Sequence, residues 1–130
     1  MTDQEFVHAF EQGTLGAFRH RDHIRLAWCY LKNHGWEQGL VRIRQGIQHF
    51  ALVHGAATKY HETMTVFWAQ VVQMHMAMDE NGDFESLVAR YPELLDKTLV
   101  EKHYSRDRLF GAEARQVWIE PDLVPLPVVD

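Results

Sequence analysis

The sequence is short of the residues that cross-link a chain or break its helices. It holds one cysteine among 130 residues, Cys29, so no disulfide can form within the chain, and a reducing compartment suits it. Three of its four prolines fall in the final segment WIEPDLVPLPVVD, which therefore cannot form a helix. No apolar run approaches the roughly 20 residues that a membrane span requires.

Positive charge is also scarce. There are 13 Lys and Arg residues against 18 Asp and Glu residues, which leaves a formal net charge of −5 at pH 7. Phosphate contacts need clustered cations, so this balance argues against a nucleic-acid partner. A modest basic patch predicts only solvated surface or an anion site, and it consists of Arg19, Arg21, Arg25, Arg42 and Arg44. The polar, acidic first ten residues predict no secretory signal, so we expect a protein of the bacterial-type cytoplasm.

The residues that are abundant predict helices. Apolar residues make up 46% of the chain and charged residues 24%, the profile of an ordinary globular protein. Their three- and four-residue spacing predicts helices at 3–12, 22–34, 36–54, 58–79, 83–90, 92–103 and 106–116. No convincing strand pair or internal repeat is visible. We predict an all-α protein, a single-domain helical bundle over residues 1–117 with the Pro-rich segment 118–130 as an extended tail packed on it.

Short polar residues and glycine mark the predicted helix ends. Asp22 and Thr58 are predicted N-caps, since each side chain can accept a hydrogen bond from a backbone N–H of the first turn. Asp83 and Ser105 are predicted to cap two shorter helices. Gly35 is predicted to end the helix at 22–34, because glycine suits the left-handed position that follows a helix.

The helix at 58–79 is the most apolar. It begins with four side chains that can take part in acid–base chemistry or bind a ligand, Lys59-Tyr60-His61-Glu62. Short links join the second, third and fourth helices, so we expect them to be antiparallel neighbours. The starts of the second and fourth helices then lie at one end of the bundle, where the third helix ends. This topology brings together a set of polar side chains: His20, Asp22, His23, His61 and Glu62, with His49 or His54.

Histidine is the compositional excess, with nine in the chain. It is the commonest metal ligand and the usual general base near neutral pH. The positive end of a helix dipole disfavours the imidazolium form, so we expect His23 and His61 to be neutral. We predict a small metal-dependent enzyme acting on a small molecule, with His20, His23 and His61 as ligands of a zinc, iron or manganese ion.

A carboxylate and two donors complete this predicted site. Glu62 is the first choice as a further ligand or general base, and Tyr60 and Lys59 are expected to orient a small polar substrate. Other candidate carboxylates are Asp22, Asp107 and Glu113. The His20-x-x-His23 spacing is a weak pattern, however. Taken singly, each histidine is more often a helix cap or a hydrogen-bonded buried group than a ligand.

Two further interpretations stay open. In the first, the protein binds a small molecule without a metal, in a pocket lined by Trp28, Tyr60, Trp68 and Tyr104. In the second, the protein is an interaction module whose apolar tail docks onto a partner, and a homodimer would place that tail on a second copy. Metal bound to the purified protein would favour the metal-dependent enzyme over both of these interpretations.

Three strings carry a resemblance that covers most of the chain: HRDHIRLAWCYL, KYHETMT and WIEPDLVPLP. They resemble a set of small uncharacterised bacterial helical proteins, which implies that the strings belong together and implies no activity. The chain is similar in architecture to the metal-dependent helical bundles of the DinB type. Their spacing of one histidine plus H-x-x-x-H does not occur here, so none of their ligands carries over.

Overall fold

The computed structural model of the protein describes residues 1–126. Of these residues, 71% are helical and none lies in a strand, which confirms the all-α prediction. The chain divides into two compact units, residues 1–60 and residues 61–130. The arrangement as one bundle stays a prediction. No helix within residues 1–126 has the length and apolar character needed to cross a bilayer.

Unit 1, residues 1–60, contains α1 (Asp3–Glu11), α2 (His20–Val53) and a short 3₁₀ helix (Ala57–Lys59). A reciprocal pair starts α1: Thr2 Oγ1 accepts from the N–H of Glu5 at 3.1 Å, and Glu5 Oε1 accepts from the N–H of Thr2 at 2.8 Å. The Arg25 guanidinium donates to Asp3 Oδ1 at 2.9 Å, which fastens α1 to α2. These contacts hold Phe6 and Phe10 of α1 in the core.

The predicted stop at Gly35 appears as a sharp kink within α2. Gly35 has φ 76° and ψ −178°, a conformation that L residues with a side chain rarely adopt. The two limbs, 20–34 and 36–53, fold back on each other. A Cβ added to Gly39 would lie 2.9 Å from Leu31 Cδ2 and 3.0 Å from the Tyr30 carbonyl oxygen, so the limbs touch where glycine permits it.

The predicted cap at Asp22 is wrong, because α2 begins two residues before it. Arg19 occupies the N-cap position with an extended backbone, and His20 is the first helical residue. Asp22 is instead the third residue of the helix, and its Oδ2 accepts from the N–H of Arg19 at 2.9 Å. A carboxylate at the third position can thus reach back to the start of the helix, which the spacing alone does not distinguish from capping.

Unit 2, from residue 61 onward, contains four α-helices and two 3₁₀ helices among its described residues. They are α3 (Glu62–Met78), α4 (Phe84–Arg90), the 3₁₀ helices Pro92–Leu95 and Lys97–Lys102, α5 (Arg106–Leu109) and α6 (Ala112–Gln116). The caps predicted at Asp83 and Ser105 are confirmed, since each side chain accepts from a backbone N–H three residues later. The helices predicted at 92–103 and 106–116 are each divided in two, by extended backbone at Asp96 and by a break at Phe110–Gly111.

The predicted cap at Thr58 is also wrong. Residues 57–59 close a 3₁₀ turn, and the backbone is extended at Tyr60 and His61. His61 is therefore the N-cap of α3, and Glu62 is its first residue, whereas the sequence predicted both inside the helix. The Tyr60 N–H donates to the Ala57 carbonyl at 3.4 Å, which closes the last 3₁₀ turn, and the extended backbone follows it.

Residues 117–124 are hydrogen-bonded to the rest of unit 2. The Leu123 N–H donates to the His103 carbonyl at 2.9 Å, and His103 Nδ1–H donates to the Val124 carbonyl at 2.7 Å. Arg108 Nε–H donates to the Glu120 carbonyl at 2.7 Å. The last residues of the predicted tail, 127–130, lie outside the described part of the chain.

The close contact at Gly39 generates a stability prediction. Gly39→Ala should lower the free energy of unfolding by about 1–2 kcal/mol, because overpacking against the Leu31 and Tyr30 backbone outweighs the roughly 1 kcal/mol that alanine gains over glycine in a helix. Urea unfolding followed by circular dichroism measures the difference. Gln38→Ala, at an exposed neighbour in the same limb, is the control and should change little. A Gly39→Ala protein more stable than wild type would contradict the close packing of the limbs.

Candidate functional site

The start of α3 concentrates buried polar groups. Four polar or charged residues are buried in the described chain, and three of them are consecutive: His61, Glu62 and Thr63. Burying a polar group is costly unless it is hydrogen-bonded, so each of the three calls for a physical account. The fourth, His75, lies near the end of the same helix.

Both ring nitrogens of His61 take part in hydrogen bonds. Nδ1 accepts from the N–H of Met64 at 3.1 Å, which caps α3, and Nε2 lies 2.7 Å from the Leu109 carbonyl oxygen. A carbonyl only accepts, so Nε2 carries the hydrogen and the ring is the neutral tautomer. Burial is the main cause that lowers the pKa of His61, and the positive charge of Arg115 acts in the same direction. The predicted neutral ring is thus supported, with burial as its main cause.

The two hydrogen bonds of His61 would compete with its predicted role as a metal ligand. A metal bound through Nδ1 would remove the cap of α3, and one bound through Nε2 would leave the Leu109 carbonyl without its donor. Across residues 1–126, no group of three or more His, Cys, Asp or Glu side chains is placed to hold a metal ion. The metal site therefore stays a prediction, and it requires His61 to replace one of its two hydrogen bonds by a bond to the metal ion.

Thr63 ties the same end of α3 to the segment that follows α6. Its side chain is fully buried, and its Oγ1 donates to the Val117 carbonyl at 2.8 Å and accepts from the N–H of Ile119 at 3.2 Å. One hydroxyl thus satisfies two backbone groups more than 50 residues away along the chain. We call His61 and Thr63 the α3 anchor, together with their four backbone partners: the N–H groups of Met64 and Ile119 and the carbonyls of Leu109 and Val117.

Glu62 lies between the two residues of the anchor. Its side chain is 7% exposed, and it occupies the first turn of α3, where the positive end of the helix dipole favours a carboxylate. The bonds of His61 and Thr63 on either side fix the backbone that carries it. An immobilised, water-excluded carboxylate can accept a proton or bind a cation.

The remaining predicted residues of the site lie in unit 1. Lys59 is exposed and ends the 3₁₀ helix Ala57–Lys59, and the half-buried Tyr60 follows it in an extended conformation. His20 is the first residue of α2 and is half-buried. The roles predicted for them, orienting a substrate and binding a metal, stay predictions.

His23 belongs to a row of rings in unit 1 that contact one another at tilted angles. The ring centroids are 4.1 Å apart for His23 and Phe18, 4.9 Å for Phe18 and Phe50, and 4.2 Å for Phe50 and His54. The start and the end of α2 are therefore brought together, with two phenylalanine rings between the histidines. Burial in this row, with a smaller contribution from His20, lowers the pKa of His23 from 6.5 to about 4.

Two other candidates from the sequence are core residues. Cys29 is buried, and burial raises the pKa of its thiol to about 12, so it is a small core residue with little thiolate character. Tyr104, proposed as part of a pocket lining, is fully buried, and its hydroxyl donates to the Ile119 carbonyl at 2.6 Å. Its hydroxyl supports the backbone next to the α3 anchor.

The sequence does not identify Thr63 as a residue of this site. Its only signal is its place directly after His61-Glu62, and its partners are backbone groups of residues 117 and 119. No side-chain pattern identifies a carbonyl as a partner. The exposed carboxylates Asp107 and Glu113, considered earlier as ligands, lie on α5 and α6.

The lowered pKa of His23 predicts a loss of stability in acid. Between pH 6.5 and about pH 4 the unfolded chain binds a proton that the folded ring does not, so the free energy of unfolding falls as pH falls. We expect His23 to account for a loss of about 1–3 kcal/mol over this range, since its ring is only half-buried. Urea unfolding at several pH values measures it.

His23→Gln should show a shallower decline with acid than wild type. His8→Gln, which alters an exposed histidine of α1, is the matched control and should follow the wild-type curve. Equal pH dependence in wild type and His23→Gln would contradict the assignment of a half-buried imidazole that is neutral in the folded protein.

Comparison with known proteins finds no relative to set beside this geometry: no family model, curated protein or solved structure matches the chain.

Proposed function

We propose that the start of α3 is the functional site of a protein that acts on a small molecule, and that Glu62 performs its chemistry. One observation carries the proposal: a buried carboxylate is held between two residues whose side chains are fully used in fixing the backbone. Glu62 is the member of the trio whose charge makes burial most costly.

Preorganisation supports this role for Glu62. A group that acts on a substrate works best when its position is fixed before the substrate arrives, by neighbours that hold it through hydrogen bonds and packing. The α3 anchor does this for Glu62. The ligand class that suits a buried carboxylate is a cation, a group with N–H or O–H donors, or a substrate that gives up a proton.

The metal-dependent form of this proposal keeps Glu62 as a ligand. A zinc, iron(II) or manganese(II) ion accepts carboxylate oxygen, and Glu62 would supply it. His61 could join only by giving up its bond to Leu109 or its cap on Met64. Elemental analysis of protein purified without a His tag tests this form directly: metal near one equivalent supports it, and metal-free protein favours an organic ligand.

The tail has a structural role in this proposal. Residues 117–124 donate and accept hydrogen bonds within their own unit, and Ile119 and Val117 are partners of Thr63. We propose that this segment supports the site and does not serve primarily to dock a partner or a second copy. A bacterial-type cytoplasmic location belongs to the same proposal and rests on composition alone.

Glu62→Gln separates a functional carboxylate from a structural one. If Glu62 is kept for chemistry, the neutral isostere should leave the free energy of unfolding unchanged or raise it, because functional sites are not optimised for stability. Calorimetric titration with Zn²⁺, Mn²⁺ and methylguanidinium as probes should show binding to wild type and a loss of about tenfold or more in affinity for the variant, the cost of one charged hydrogen bond.

Glu113→Gln, at an exposed carboxylate of α6, is the matched control and should bind the probes as wild type does. The opposite result would be a Glu62→Gln protein destabilised by about 3–5 kcal/mol, the cost of breaking a buried ion pair, with unchanged probe binding. Glu62 would then be a structural residue.

A further inference from the structure

His75, the remaining buried polar residue, makes two contacts that fix where its hydrogens must be. Its Nδ1 lies 2.8 Å from the Val71 carbonyl oxygen, one turn earlier in α3. Its Nε2 lies 3.1 Å from Oε2 of Glu93, in the 3₁₀ helix Pro92–Leu95. The carbonyl only accepts, so Nδ1 carries a hydrogen and donates it.

The second contact then requires an additional proton. With Nδ1 protonated, a neutral imidazole would present the lone pair of Nε2 to Glu93, and an ionised carboxylate presents lone pairs in return. At 3.1 Å these groups attract only if a proton lies between them. That proton can lie on the ring or on the carboxyl group. In both cases the pair holds one proton more than a neutral imidazole and an ionised carboxylate hold when they are apart.

Tyr91 contacts the imidazole of this pair, and a charged side chain contacts Tyr91 in turn. The ring of Tyr91 meets the imidazole edge-on at 4.9 Å between centroids, and the guanidinium of Arg90 lies 5.7 Å from the centre of that ring. Arg90 is also 3.7 Å from the carboxylate of Asp79, one turn beyond His75. The side chain of Glu93 is 46% exposed and that of His75 10%, so the proton can exchange with solvent at the Glu93 side.

We propose that His75 and Glu93 form a proton-dependent latch that holds the 3₁₀ helix Pro92–Leu95 against α3 and opens as pH rises. The charge pair His75⁺–Glu93⁻, or its neutral equivalent with the proton on Glu93, closes it. While the remaining hydrogen stays on Nδ1 in its bond to the Val71 carbonyl, removal of the proton leaves Nε2 and the Glu93 carboxylate as two acceptors facing each other, which releases the segment. The latch involves neither Glu62 nor the α3 anchor, so its failure would leave the proposed function untouched.

Two amides report the state of the latch. The N–H of Leu94 donates to the Tyr91 carbonyl at 3.1 Å, and the N–H of Asp96 donates to the Glu93 carbonyl at 3.1 Å. Both bonds lie within the segment that the latch holds. Their protection against hydrogen exchange therefore measures how often the segment opens.

The experiment is native-state hydrogen exchange of the full chain by NMR, from about pH 5 to about pH 8, the range in which imidazole titrates. Rates are corrected for the intrinsic effect of pH and compared with amides in the middle of α3. In wild type, protection of Leu94 and Asp96 should fall about fivefold as pH rises, the size that a partly exposed ion pair contributes.

Glu93→Gln keeps the contact in a form without a charge. Its side-chain amide can donate to the neutral imidazole, so protection in this variant should stay constant with pH. Glu85→Gln, an exposed carboxylate of α4, is the control and should behave as wild type. Protection that is independent of pH in wild type, or that falls equally in wild type and Glu93→Gln, would overturn the latch.

Discussion

The hydroxyl of Thr63 is the contact on which the described part of unit 2 most depends. It donates to Val117 and accepts from Ile119, and with His61 it binds the first turn of α3 to residues 109–119. A typical hydrogen bond contributes only about 0.5–1.5 kcal/mol, but a buried group left without a partner costs about 1–3 kcal/mol. Because several backbone groups share these two side chains, losing one side chain would leave more than one group unsatisfied.

The anchor also occupies both ring nitrogens of His61 with hydrogen bonds. His61 resembles a metal ligand in sequence, yet its two nitrogens cap a helix and support a carbonyl. The same two bonds fix the backbone that holds the buried carboxylate of Glu62. His61, which the sequence predicts as a metal ligand, thus has a structural role in the fold, and its metal-binding role stays a prediction.

The parts of the fold that could be predicted are those set by local patterns. Helical spacing of apolar residues predicted the all-α class, and Gly35, Asp83 and Ser105 ended or began helices where their conformational preferences place them. The start of α3 could not be predicted in this way. Thr58 is the better N-cap by residue type, but it lies inside the 3₁₀ helix Ala57–Lys59, and the ring of His61 is held in the capping position by the Leu109 carbonyl, which sequence spacing does not reveal.

The contacts of the site that could not be predicted from the sequence are also those to backbone groups. Thr63 reaches residues 117 and 119, and His75 bonds to a carbonyl of its own helix before it meets Glu93. Such partners carry no side-chain signature. The measurement that tests the account most directly is therefore hydrogen exchange at the Ile119 amide, which donates its hydrogen to Thr63 Oγ1. We predict that it exchanges as slowly as the core of α3 in wild type and much faster in Thr63→Val, with Thr63→Ser in between. A fast-exchanging Ile119 amide in wild type would contradict the anchor.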